Sequence, residues 1–181
     1  EDNANSNAER DAMRKALLRA MESETASEVR WRVLYALAAL RDPACLELFC
    51  ASTSAQTVWE RFFAVRGIAE LARARRIRPD ALDSTLDLVL RRLEDSDLRV
   101  QLEAALCIGD PSPGGRGTSS RDAPPPFSQR RALDGLIGML QASSATLAAV
   151  AARGIGHFRS RTHEANNALV LALSSPEAQI R

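Results

Sequence analysis

The side chains best equipped for chemistry in this sequence of 181 residues are arginines. Arg73, Arg75, Arg76 and Arg78 crowd into one short stretch, with Arg66 just upstream and Trp59 and Trp31 before it. Guanidinium groups grip phosphate oxygens and indoles stack on bases, so the cluster is a candidate patch for phosphate or nucleic acid. The same run has a plainer use at a helix C-terminus, where positive charge is favoured by a few tenths to ~1 kcal/mol with no ligand at all. Two histidines follow later. His157 is followed by Phe158 and Arg159, and His163 by Glu164, and neither has a serine or cysteine at an interpretable spacing. Cys45, Cys50 and Cys107 are odd in number and lack both CxxC spacing and a nearby histidine, so they indicate neither a zinc site nor a disulfide framework. A reducing, cytoplasmic setting suits them. No phosphate-binding glycine loop or nucleophile elbow occurs, and the sequence gives no reason to expect a cofactor, a metal or catalysis.

The charge balance narrows the field further. The 24 basic and 23 acidic residues leave a net charge of +1, too small for a global field that would draw nucleic acid or an anionic membrane. Lys15 is the only lysine, which fits either a GC-rich genome or a preference for bidentate partners. No apolar run approaches the ~20 residues of a membrane span. The first residues, Glu1-Asp2-Asn3, carry neither Met nor a signal pattern, so the chain is expected to be a piece of a longer protein.

Whatever positions these side chains is helical. Hydrophobic residues make up 45% but aromatics only 4%, so apolar mass comes mainly as Ala and Leu, which let helices approach closely. Internal repeats are evident. Val29-Arg30, Glu60-Arg61, Leu98-Arg99 and Leu147-Ala148 are each followed, at one common offset, by a small residue and an aliphatic one; Ile180-Arg181 opens a fifth copy that the chain does not complete. The nearest pair is Ala64-Val65-Arg66-Gly67-Ile68-Ala69 against Ala151-Ala152-Arg153-Gly154-Ile155-Gly156. Successive copies lie thirty-odd residues apart except across 110–127. That segment, rich in Pro, Gly and Ser, reads as an insertion expected to project as a mobile loop, tolerated length being the favoured reading and a docking peptide of polyproline character the other.

Each copy reads as the second helix of a pair. The first helices are expected over residues 8–21, 43–51, 80–94, 128–142 and 163–174, with stripes such as Leu82, Leu86, Val89, Leu90 and Leu93. Thr25 with Glu28, and Thr57 with Glu60, have capping-box spacing; Asp42-Pro43 and Ser175-Pro176 put a cap before proline. Trp31, Trp59, Phe62 and Phe63 are expected to pack between repeats, because the stretch from Trp59 to Val65 is apolar nearly all round. Gly67, Gly154 and Gly156 fall where helices would pack closely.

Val-Arg followed by a small residue, then Ala-Leu and a small residue, resembles the second helix of HEAT-like repeats, including the short bacterial type named after phycobilin lyases. The resemblance covers nearly the whole chain outside the insertion. It implies an all-α, right-handed α-α superhelix of about five helix pairs, the last truncated, forming a single array over residues 1–181. It further implies a ladder in which Arg30, Arg61, Arg99 and Arg181 sit near the starts of second helices and pair with carboxylates or helix-end carbonyls of a neighbour; the fourth copy has Ala148 instead. Iron-dependent hydroxylases with such repeats use several His-Glu pairs, whereas His163-Glu164 stands alone here. Proteins with this repeat include scaffolds, transport receptors, lyase chaperones and a DNA glycosylase, and fold does not imply function.

Since stacked repeats necessarily make a long surface with few catalytic groups, the leading expectation is a non-enzymatic scaffold or docking module that binds a protein. Further repeats in the same chain and no membrane association are expected with it. Nucleic-acid or phosphate binding through Arg73, Arg75, Arg76 and Arg78 is the second reading, and a lyase-like or hydroxylase-like activity the third.

Overall fold

The computed structural model describes residues 2–110, 127, 130–141, 144–158 and 163–173, with side chains omitted at 2–6 and 173. Over these residues the chain is all-α: α1 (Asp2–Ser23), α2 (Ser27–Leu40), a 3-10 turn (Pro43–Cys45) leading into α3 (Leu46–Ser52), α4 (Val58–Arg73), α5 (Pro79–Arg92), α6 (Leu98–Gly109), α7 (Arg130–Met139), α8 (Ala145–Gly156) and α9 (His163–Leu173). The insertion at 110–127 (apart from its two ends), the Ser175-Pro176 cap and the fifth motif copy at Ile180-Arg181 lie outside the described residues.

The even-numbered helices are the second helices of the pairs, and they stack in series, α2 on α4, α4 on α6 and α6 on α8. The helices α1, α3, α5 and α7 each pack on the even helix that follows, α9 packs on α7 and α8, and α5 also touches α7. Contacts therefore run between neighbouring repeats, and the result is an α-solenoid. A single ribbon of core follows the array, through Leu34, Leu37, Phe49, Ile68, Leu86, Ile108, Leu136 and Ile155, all fully buried. It forms because every even helix carries apolar residues on two sides, one toward its own partner helix and one toward the next repeat.

Small residues set the spacing of the stack. A Cβ on Gly67 would sit 2.5 Å from the ring of Phe49, and one on Gly109 would sit 2.5 Å from Cα of Gly154. Thus α6 and α8 touch backbone to backbone at that crossing. Gly156, expected at a packing position, has nothing within 4 Å of its would-be Cβ.

The helix ends depart from the sequence reading in informative ways. Asp42 does cap the 3-10 turn, accepting from Ala44 N at 2.9 Å. Thr57 and Glu60 do not make a capping box; their side chains bond one another at 3.0 Å, because Glu60 is also claimed by Arg30. Ala26, not Thr25, is the N-cap of α2, and Glu24 accepts from its N–H. Asp97 and Ser144 cap α6 and α8. At the far end of α4, Arg75 adopts φ 53° inside a Schellman arrangement, with Arg76 N donating to Leu71 O and Arg75 N to Ala72 O. Arg41 takes the equivalent left-handed position after α2.

Candidate functional site

The arginines that open the even helices have diverging fates. Arg30 donates from Nε to Glu60 on α4 at 3.0 Å and from Nη1 to the carbonyls of Met21 and Glu24, both at 3.0 Å, so it joins α1, α2 and α4. Arg61 repeats that geometry one helix on. It grips Asp95 with two parallel bonds, 2.8 and 2.9 Å, while Nη1 donates to Ala55 O and Gln56 O. Both partners are buried. Burial pushes the Asp95 carboxyl up, but Arg61, the N–H of Asp97 and Arg92 more than offset this and hold it below the ordinary aspartate value. Arg99 does not continue the series. The next copy has Leu147 where Arg30 found Glu60 and Ser144 where Arg61 found Asp95, neither a carboxylate, and Arg99 turns back on its own cap, Asp97, and lies over the Trp59 ring at 4.6 Å. The Asp97 carboxyl is pulled down to about 2, first by that guanidinium.

The cluster Arg73, Arg75, Arg76 and Arg78 does not face one place. Arg73 is largely covered; it pairs with Glu70 at 3.3 Å and donates to Leu106 O and Asp110 O at the C-terminal end of α6. Arg76 donates to Arg41 O at the end of α2. Arg78 pairs with Asp80. Two of the four thus satisfy helix-end carbonyls of neighbouring repeats, the use that helix electrostatics favours, and only Arg75 shows no ion pair or side-chain bond among the described residues. His157 acts similarly, its Nδ1 2.8 Å from Gly109 O, across the α6–α8 junction. His163 opens α9. No group of three His, Cys, Asp or Glu side chains able to hold a metal ion occurs among the described residues.

What the sequence reading underweighted is the outward face of α2 and α4. Trp31 and Tyr35 lie one turn apart on α2, Trp59 and Phe63 one turn apart on α4, and Phe62 adjoins them. The rings form one continuous cluster: Trp31 stacks on Phe63 at 5.3 Å and 12°, Trp59 lies 6.1 Å from both, and Tyr35 meets Phe63 edge-on at 5.5 Å. Trp31, Trp59, Phe62 and Phe63 were expected to pack between repeats, and Trp31 does meet Trp59 and Phe63 across the α2–α4 junction. The cluster is not closed over, however: Trp59 is 39% exposed, Trp31, Phe62 and Phe63 are half-buried, and Tyr35, which the expectation did not include, is 56% exposed. The reason is geometric. α2 and α6 flank α4, and the seven-residue α3 covers one further side, so the fourth side of an all-round apolar helix opens to solvent. The signal was present as paired aromatics at i and i+4 on two aligned helices.

Arginines surround these rings. Arg32 lies over Trp31 at 4.4 Å, opposite Arg99 over Trp59. Past Tyr35, the groove between α2 and α4 continues as a cavity of about 290 Å³ lined by Tyr35, Ala38, Ala39, Arg41, Arg66 and Glu70. Arg41 donates to Glu70 at 2.7 Å, whereas Arg66 reaches its nearest carboxylate, Glu103, only at 3.7 Å. Arg66 is 46% exposed and Glu103 only 7%, so the cation fronts the groove and the anion lies beneath it. Burial pushes the Glu103 carboxyl above the ordinary glutamate value.

No protein-family model matches the chain, and no curated protein matches it. Among solved structures it is similar to the crystal structure of an engineered protein, at 18% identity and a TM-score of 0.62, over 93% of this chain and 74% of that one. The likeness is one of fold. No helix among the described residues is long and apolar enough to cross a membrane.

Proposed function

We propose that this α-solenoid, built of HEAT-like repeats, is a non-catalytic docking module that binds a protein partner on the outward face of α2 and α4. The observation that carries this reading is the distribution of aromatic rings. The sequence holds two Trp, one Tyr and five Phe. Both tryptophans, the tyrosine and two phenylalanines share one partly exposed patch, while Phe49, Phe127 and Phe158 are buried in the core. Trp, Tyr and Arg are the residues that dominate binding energy at protein interfaces, and here they are clustered, held by one another and rimmed with guanidinium groups. Rings and guanidiniums exchange no protons near neutral pH, so they suit recognition better than acid–base chemistry. The three cysteines are free, which favours a reducing compartment.

The nucleic-acid reading through Arg73, Arg75, Arg76 and Arg78 loses ground because Arg73 and Arg76 are engaged with helix ends. The test compares proteins captured from lysate, after nuclease treatment, by the wild-type chain and by a variant with Tyr35→Ser and Trp59→Ser. Both positions are exposed, so folding should persist and circular dichroism will verify it. Partners lost from the variant support the reading; a capture profile identical for the two chains refutes it.

A further inference from the structure

Resting on that docking reading, we infer that the partner is a peptide segment in which apolar side chains adjoin an acidic one, lying along the α2–α4 groove with its carboxylate between Arg66 and Arg41. The groove has two chemically distinct halves. One is the aromatic patch from Trp31 to Phe63. The other is the cavity of about 290 Å³ past Tyr35, room for one or two side chains and too small for a folded element.

Its charge is layered. In the half past Tyr35 the carboxylates Glu70 and Glu103 are covered and Arg41 and Arg66 project past them, whereas beside the rings Arg32 and Arg99 are paired with Glu28 and Asp97. A ligand approaching that half from solvent therefore meets guanidinium. Arg66 has the most to gain, since its 3.7 Å separation from Glu103 is beyond hydrogen-bond length and leaves its fork open to a second carboxylate. An acidic side chain there would form a charge-assisted bond without displacing an existing one. A basic side chain would face the same arginines and be repelled.

A peptide is favoured over a nucleic acid by the state of the indoles. Arg32 lies over one and Arg99 over the other, and Phe63 stacks on both. A base would have to displace a guanidinium before stacking. Aliphatic and aromatic peptide side chains need only ring edges and the Tyr35 flank, which are open. Along the groove, the helical rise of about 1.5 Å per residue puts Arg41 ~15 Å beyond Trp31, which four or five extended residues at about 3.3 Å each would span, so a short linear segment suffices.

The experiment is selection from a random twelve-residue peptide display library on the intact chain. Anisotropy with the labelled winner would follow, at low and high salt, with an oligothymidylate of equal length as competitor. The expected outcome is winners enriched in Asp or Glu next to aliphatic or aromatic residues. Their affinity should fall at least fivefold in Arg66→Gln and stay within twofold in Arg91→Gln, an exposed arginine of α5 outside this face. No enrichment, winners without acidic residues, insensitivity to Arg66→Gln, or tighter binding of the oligothymidylate would each overturn the inference. If lysate capture still depends on Tyr35 and Trp59 while the peptide selection fails, the docking reading stands and only this chemistry is wrong.

Discussion

The Gly109–Gly154 crossing offers the sharpest test of how this array is held together. An added Cβ at Gly109 would lie 2.5 Å from Cα of Gly154, 3.3 Å from its carbonyl carbon and 3.2 Å from Leu136 Cδ1. Carbon atoms rest at about 3.5–4.0 Å, so Gly109→Ala drives a methyl roughly 1 Å too deep into a backbone that cannot rotate away. Overpacking of this kind costs about 1–3 kcal/mol, and the better helix propensity of alanine returns at most ~1 kcal/mol, less at the last residue of a helix. A net loss of up to about 3 kcal/mol is expected once that return is subtracted. Gly156→Ala is the matched control, the same methyl at the last residue of α8 with nothing within 4 Å. That variant should be neutral or gain about 0.4–1 kcal/mol through the unfolded chain. With urea m values of about 1–3 kcal/mol/M, the two unfolding midpoints should lie on the order of 1 M apart. Helical circular dichroism reports every repeat, whereas indole fluorescence reports only α2 and α4, where both tryptophans sit. Because repeats couple only to neighbours, Gly109→Ala should also lower the dichroism midpoint more than the fluorescence midpoint. An alanine at 109 that unfolds at the same urea concentration as one at 156 would refute the argument that backbone contact sets the α6–α8 spacing.

Three further outcomes follow from the polar groups. Arg61→Ala leaves Asp95 buried without its bidentate partner, and should cost about 3–5 kcal/mol by urea unfolding, whereas Arg99→Ala, at an exposed pair, should barely move the midpoint. Glu103 has a folded pKa raised by burial, so its contribution to stability is present below the ordinary glutamate value of about 4.3 and is lost as pH rises through the raised one. The Glu103→Gln variant should therefore show a flatter stability profile than wild type on moving from about pH 4.3 toward neutrality, and parallel profiles would contradict this. Burial pushes the thiols of Cys45 and Cys107 up to about 11 and about 12, so neither should react with a disulfide reagent in native protein at neutral pH, and both should react at once in denaturant.

The repeat architecture was legible without coordinates because its causes are local. A helix that stacks between two neighbours needs small and apolar residues at a fixed offset, and Ala64 to Ala69 recurs as Ala151 to Gly156 for that reason alone. The expected first helices matched α1, the 3-10 turn with α3, α5, α7 and α9 to within a few residues, apart from the longer start of α1. Element type follows from periodicity, which each segment carries by itself. Where side chains ended up was decided by partners from other repeats. Arg30, Arg61 and Arg99 share one motif position, yet the first two found Glu60 and Asp95 across the junction and the third found only its own cap. Arg73 and Arg76 looked like one patch with Arg75 and Arg78 until the ends of α6 and α2 claimed them. The apolar run from Trp59 to Val65 states that α4 has many neighbours, but not how many sides they cover. That number depends on how short α3 is and where it lies, and it left Trp59 and Tyr35 facing solvent. Periodicity belongs to one helix and is written in its residues; exposure belongs to an assembly of helices and exists only once they have packed.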